Sequence, residues 1–207
     1  MSEILFSTIS GECTFEFEEK RSQFIGYAKN VTTEDDARAF ISKIKAKHHD
    51  ARHNCSAYIL RDGVMRYSDD GEPQGTAGIP ILEVIKKSGL VDVVVVVTRY
   101  FGGILLGAGG LVRAYSAACA GALDNSQRAD YQLCSRFLLE LEYPLYDKMS
   151  RFLSENRVRV NSTDFNDKII IEGLIPTDEF ERLSQLIVDA FSGRIPLEFI
   201  DNTIEKI

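Results

Sequence analysis

The sequence predicts an α+β protein of two domains, residues 1–130 and 131–207. Three features carry that expectation. Apolar residues switch repeatedly between a period of two and a period near 3.6, the marks of strands and helices. A polar stretch, D-N-S-Q-R-A-D-Y at Asp124–Tyr131, interrupts the pattern. The elements after it follow the order βαββαβ, the ferredoxin-like split unit. Hydrophobic residues make up 44% of the 207 and charged residues 27%, which excludes collagen and wholesale disorder.

The first domain opens on C-T-F-E-F-E at Cys13–Glu18, whose strict alternation suits a half-buried strand, and a second strand is expected over Gln23–Val31. Thr33 is placed to cap a helix. Glu34, Asp35 and Asp36 fill its first turn, where carboxylates meet the positive end of the helix dipole. Ala37, Phe40, Ile41 and Ile44 form its apolar stripe. Asn54–Leu60 and Val64–Tyr67 read as a hairpin around Asp62-Gly63. Ser68–Gly78 is loop chemistry, Pro80 opens a short helix to about Ser88, and the five valines Val93–Val97 suit a strand buried on both faces. A glycine-rich turn then leads into a small-residue helix over Leu111–Leu123.

In the second domain, strands are expected over Leu133–Tyr143, Arg157–Ser162, Lys168–Leu174 and Ile195–Ile200. Helices are expected over Leu145–Glu155 and from Pro176-Thr177 through Phe180, Leu183, Leu186, Ile187 and Ala190.

The net charge of −7 disfavours generic adhesion to nucleic acid, and residues 131–207, with 9 basic and 14 acidic groups, are the poorer nucleic-acid candidate. The longest uncharged apolar-or-glycine run, between Arg99 and Arg113, is thirteen residues with five glycines, short of the roughly 20 needed to span a bilayer. The stretch to Glu19 has no lysine or arginine and lacks a signal peptide's charged region. Cys13, Cys55, Cys119 and Cys134 are scattered, which argues against a disulfide framework or a zinc site. A cytoplasmic protein without membrane contact is expected.

The chemistry-bearing residues fall in two segments, S-D-D-G-E-P-Q-G-T-A-G at Ser68–Gly78 and R-Y-F-G-G-I-L-L-G-A-G-G-L-V-R-A-Y at Arg99–Tyr115. A buried strand, a glycine-rich turn and a helix start together make an anion cradle, because unpaired N–H groups point outward there and glycine permits close approach. Arg113 is expected in the first helical turn, where a cation is unfavourable by roughly 0.3–1 kcal/mol. It calls for a partner, either a carboxylate of Asp69–Glu72 or a bound anion. Three readings stay open: an internal arginine–carboxylate network, a phosphate- or partner-binding surface, and catalysis.

Familiar motifs fail here. Ala108-Gly109 stands where a P-loop needs Lys-Ser/Thr, and Val112 takes the last glycine position of a dinucleotide fingerprint. Asp69, Asp70 and Glu72 match no calcium loop. His53 and Cys55 share a strand face, but a core cysteine beside a structural histidine accounts for them better than a nucleophile pair. Tyr100-Phe101 next to Arg99 is suited either to stacking a base or to packing. The expected binding residues are therefore Arg99, Tyr100, Gly102, Gly103, Gly109, Gly110, Arg113, Asp69, Asp70, Glu72 and His53. No catalytic residue, metal or cofactor is assigned.

Together with H-N-C-S-A-Y at His53–Tyr58, and with Ser68–Pro80 and Arg99–Tyr115, the chain resembles the YigZ/IMPACT family in its bacterial two-domain form. The resemblance implies an N-terminal domain of the ribosomal protein S5 domain 2-like fold, an α/β sandwich, and a ferredoxin-like C-terminal domain. The pair is similar to domains IV and V of elongation factor G. It also implies a role in regulating translation, since eukaryotic members do so under amino-acid stress, by competing for an activator of an initiation-factor kinase. That pathway is not carried over, because the extra domain through which those relatives engage the activator is not in this sequence. The expected partners are ribosomal RNA or a ribosome-bound protein, with no nucleotide cofactor. A hydrolase or transferase acting on a phosphate-containing substrate is the alternative.

Overall fold

The computed structural model describes residues 3–206. The element order is β1 (Ile4–Ser10), β2 (Glu12–Glu19), β3 (Ser22–Asn30), α1 (Glu34–Lys47), β4 (His53–Ile59), β5 (Met65–Ser68), α2 (Gly78–Ser88), β6 (Val93–Tyr100), α3 (Ala108–Asp124) and β7 (Gln127–Leu141). It continues through α4 (Tyr146–Glu155), β8 (Arg159–Phe165), β9 (Ile169–Pro176), α5 (Thr177–Phe191) and β10 (Leu197–Lys206). Phe6–Ala129 forms one compact unit, and the second holds residues 130–206 together with residues 3–5. The chain is thus a two-domain α+β protein.

In the first unit, β2-β3-β6-β4-β5 form an antiparallel sheet. The valine run lies at its centre, and its alternation places two sets of side chains on opposite faces. Val93, Val95 and Val97, with Phe24, Ala28, Cys55 and Ala57, pack against α2 and α3. Val94 and Val96, with Ile25, Tyr27 and Tyr58, pack against Ala37, Phe40 and Ile44 of α1. All five valines are fully buried. Each contributes about 1.5–3 kcal/mol by leaving water, so this strand anchors both layers. Thr33 caps α1 as expected, accepting from the Asp36 N–H at 3.1 Å. Close helix packing needs small residues: a Cβ on Gly26 would lie 2.4 Å from the Ala118 carbonyl oxygen, so α3 rests directly on β3.

In the second unit, β10-β7-β9-β8 are antiparallel neighbours, so the chain order 1-2-3-4 becomes the spatial order 4-1-3-2 of a ferredoxin-like sheet. Phe137, Leu139 and Leu141 of β7 meet Met149 and Leu153 of α4 and Leu183 and Ile187 of α5.

Several expectations need correction. β1, which pairs with β7, had no reading as a strand. Asp124–Tyr131 contains the point where the two units part, between Ala129 and Asp130, but it is no open linker, since α3 ends and β7 starts within it. Its polar residues mimic a linker, but Ala129 within it is buried, and Tyr131 pairs with Lys206 of β10. Strand β8 starts at Arg159 rather than Arg157, which adopts φ +56° at the end of a turn.

Candidate functional site

Strand β6 delivers Arg99 into the core-facing layer, 5% exposed. Its Nη1 donates to Glu72 Oε1 at 2.7 Å, and Nη2 reaches Ser22 Oγ at 3.5 Å. Its Nε is buried with no hydrogen-bond partner. The guanidinium also lies between two rings, 5.5 Å from the Phe24 centroid and 5.4 Å from that of Phe101. Glu72 Oε1 accepts a second bond from the Tyr115 hydroxyl at 2.8 Å. Burial, reinforced by neighbouring Cys55 and Glu72, drives the Tyr115 hydroxyl well above its ordinary pKa, so it stays protonated and donating.

His53 precedes this layer on β4. Its Nδ1 lies 2.8 Å from the Asp70 carbonyl oxygen, which only accepts, so Nδ1 carries the proton. In the neutral ring Nε2 is then the free lone pair, 3.9 Å from Glu72 Oε1. Arg52, His53, Glu72 and Arg99 form the polar side of a cleft of about 400 Å³. Phe101, Leu105, Leu106 and Leu111 form its apolar side, and Gly107 and Ala108 at the start of α3 also line it.

The other two acids have local duties. Asp69 accepts from the N–H groups of Gly75, Ala77 and Gly78 at 2.8–3.1 Å and so caps α2, whose own N-cap residue is an alanine. Asp70, held at φ +44°, accepts from the Asn54 N–H at 2.7 Å and from Lys45 Nζ at 2.6 Å. Gly102 packs against the β2–β3 turn, because a Cβ there would sit 1.9 Å from the Arg21 carbonyl oxygen. Gly103 takes φ +84°. Cys55 donates to the Asp69 carbonyl at 3.0 Å, and burial pushes its thiol far above the usual range, which denies it thiolate chemistry.

The Impact N-terminal domain family matches residues 20–123, and a domain of unknown function (DUF1949) matches residues 139–194. The chain belongs to the IMPACT family. The IMPACT family member YvyE of Bacillus subtilis is 37% identical over 177 residues, covering 84% of this chain and 82% of that protein. The family member YigZ of Escherichia coli is 31% identical over 186 residues, covering 88% and 91%. A solved crystal structure of a hypothetical protein aligns with a TM-score of 0.60 at 30% identity, covering 95% of this chain and 97% of that one.

Within this IMPACT fold the expected residues separate into groups. Arg99, Glu72 and His53 converge on the cleft. Tyr100, the next residue along β6, points to the opposite face, where its hydroxyl donates to Asp50 at 3.0 Å and accepts from His48 Nδ1 at 2.9 Å. Arg113 is not in the first helical turn. The helix starts at Ala108, three residues earlier than expected, because Gly107 (φ +74°) caps it and Gly109-Gly110 form its first turn. Arg113 is therefore its sixth residue, exposed, and among the described residues it has no carboxylate partner. The acidic loop serves Arg99 instead.

Sequence reasoning missed Arg52, Leu105 and Tyr115. Tyr115 reads as helix packing until its hydroxyl is seen on Glu72. It also passed over His48, which is 8% exposed and sits in a chain running Lys47 Nζ, Tyr27 OH, His48, Tyr100 OH, Asp50. Among the described residues, no cluster of His, Cys, Asp or Glu is placed to hold a metal, and no helix is long and apolar enough to cross a membrane.

Proposed function

We propose that this protein is a non-enzymatic, translation-associated regulator whose N-terminal domain contacts ribosomal RNA around its glycine-rich turn. One observation carries the reading. Exposed Lys20, Arg21, Arg52 and Arg113 gather about the Phe101–Gly110 segment, while the neighbouring acids Asp69, Asp70 and Glu72 are turned inward and occupied. Glu19 is the acid that shares this rim. Four cations about this segment supply the counterion-release term that dominates RNA affinity, despite a net charge of −7. Phe101, 41% exposed, offers a ring for base stacking. The inward, saturated carboxylates and the high-pKa Cys55 thiol favour binding over catalysis. The translational setting rests on the family resemblance, and a cytoplasmic location follows from it.

Co-sedimentation with ribosomes tests this. The native protein is expected in the ribosomal fraction at low salt, and Arg52→Ala/Arg113→Ala in the free fraction. Loss of sedimentation after ribonuclease trimming of exposed RNA supports the RNA contact, whereas retention points to a ribosome-bound protein. A native protein that stays in the free fraction at both low and moderate salt overturns the reading.

A further inference from the structure

Beneath the cationic rim lies the cleft, which shares Arg52 and Phe101 with it and adds Arg99, His53 and Glu72. Arg99 brings a buried guanidinium that Glu72 neutralises through a single Nη1 contact. Its Nη2 bond is long at 3.5 Å and its Nε has no partner. At the start of α3, the N–H groups of Ala108, Gly109 and Gly110 precede the first intrahelical bond, Leu111 N–H to the Gly107 carbonyl, and have no partner among the described residues; of the three, Ala108 lines the cleft. A Cβ on Gly107 would meet nothing within 4 Å, and one on Gly109 only Arg113 Nη1 at 3.7 Å, so an incoming group can approach the backbone closely. Arg52 adds a second charge at the mouth, and its guanidinium lies 6.0 Å from the centroid of Phe101. His53 Nε2 and Glu72 face the same space.

We infer that this cleft is a binding site for a phosphate monoester carried on a small organic body. The phosphate takes the start of α3 at Ala108, with Arg52 and Arg99 lining the same cleft; helix N-terminal N–H groups and guanidinium groups are the donors that suit such an anion. The organic body lies along Phe101, Leu105, Leu106 and Leu111. A volume of about 400 Å³ suits a ligand of nucleotide size. This goes beyond the ribosome reading, since a small-molecule site needs no macromolecular partner. The same chemistry is offered by a free nucleoside monophosphate and by the 5′-phosphorylated end of an RNA.

Amide and imidazole NMR titrations of the full chain test it with adenosine 5′-monophosphate, adenosine, and a trinucleotide with and without its 5′-phosphate. Saturable shifts at Arg52, His53 and Gly107–Leu111 are expected with the phosphorylated ligands and none with adenosine. Ala108→Glu places an acid where a helix start favours it, so the fold is retained. It is expected to weaken binding by at least about tenfold through repulsion of the phosphate. Lys87→Ala, an exposed cation of α2 outside the cleft lining, is expected to leave the titration unchanged. Binding of the monophosphate or of the trinucleotide alone identifies the source while keeping the phosphate monoester as occupant. No saturable shift up to about 10 mM, or equal binding by Ala108→Glu, overturns the site.

Discussion

Removing one partner of the Arg99–Glu72 pair is expected to be among the most damaging single changes available to the N-terminal domain. Both side chains are almost fully buried, 7% and 3% exposed, and they meet at 2.7 Å. Arg99→Met keeps an apolar stem against Phe24 but leaves a carboxylate in the core with only the Tyr115 hydroxyl as partner. Breaking a buried pair in this way costs about 3–5 kcal/mol. Glu72→Gln keeps an acceptor for Tyr115 and loses the charge, which places it near about 1.5–3 kcal/mol, the worth of hydrogen bonds to a charged group. The double variant removes both charges, so its cost is expected to fall short of the sum by about 2 kcal/mol or more. Amide hydrogen exchange of Val93–Val97 reports the stability of this unit alone, because those amides are the centre of its sheet. Arg99→Met is expected to speed their exchange about 10²–10⁴-fold. Single variants that each stay within tenfold of the native chain, with a coupling below about 0.5 kcal/mol, would refute the pair as a structural element.

Two further outcomes follow from the geometry. Asp69→Ala strips an acceptor from three backbone N–H groups at the start of α2 and is expected to cost about 1–3 kcal/mol, with Asp69→Asn intermediate, as read by urea denaturation. His48 is held below the usual histidine range, first by burial and then by Lys47, so the unfolded chain binds its proton before the native one does. Stability is therefore expected to decline as pH falls below the ordinary histidine value, and in His48→Gln the slope of thermal stability against pH over that window should flatten.

Much of the fold was legible because its signals are local. The valine run announced a doubly covered strand, Thr33 with three acids announced a helix start, and the C-terminal periodicities spelled out βαββαβ. β1 and the beginning of β7 were not legible, because strand identity there is set by partners distant in sequence, and at the start of β7 the side chains read as a polar connector. In the candidate site, Arg99, Glu72 and His53 stood in conspicuous motifs, but Arg113 was misplaced. Its assignment assumed a helix beginning at Leu111, whereas glycines that usually break helices form the first turn here.

By itself the sequence determined most of the strands and helices, which residues are apolar enough to be covered, and where arginines, acids and glycines accumulate. Those properties come from side-chain chemistry and short-range periodicity. Only the tertiary structure decided which acid serves which base: Glu72 meets Arg99, Asp70 meets Lys45, Asp69 caps a helix, and Arg113 is left to solvent. A one-residue alternation along β6 sends Arg99 to the cleft and Tyr100 to the other layer. The reason is that hydrogen bonds and ion pairs form over about 3 Å, a distance set by how the sheet register and helix packing bring remote segments together.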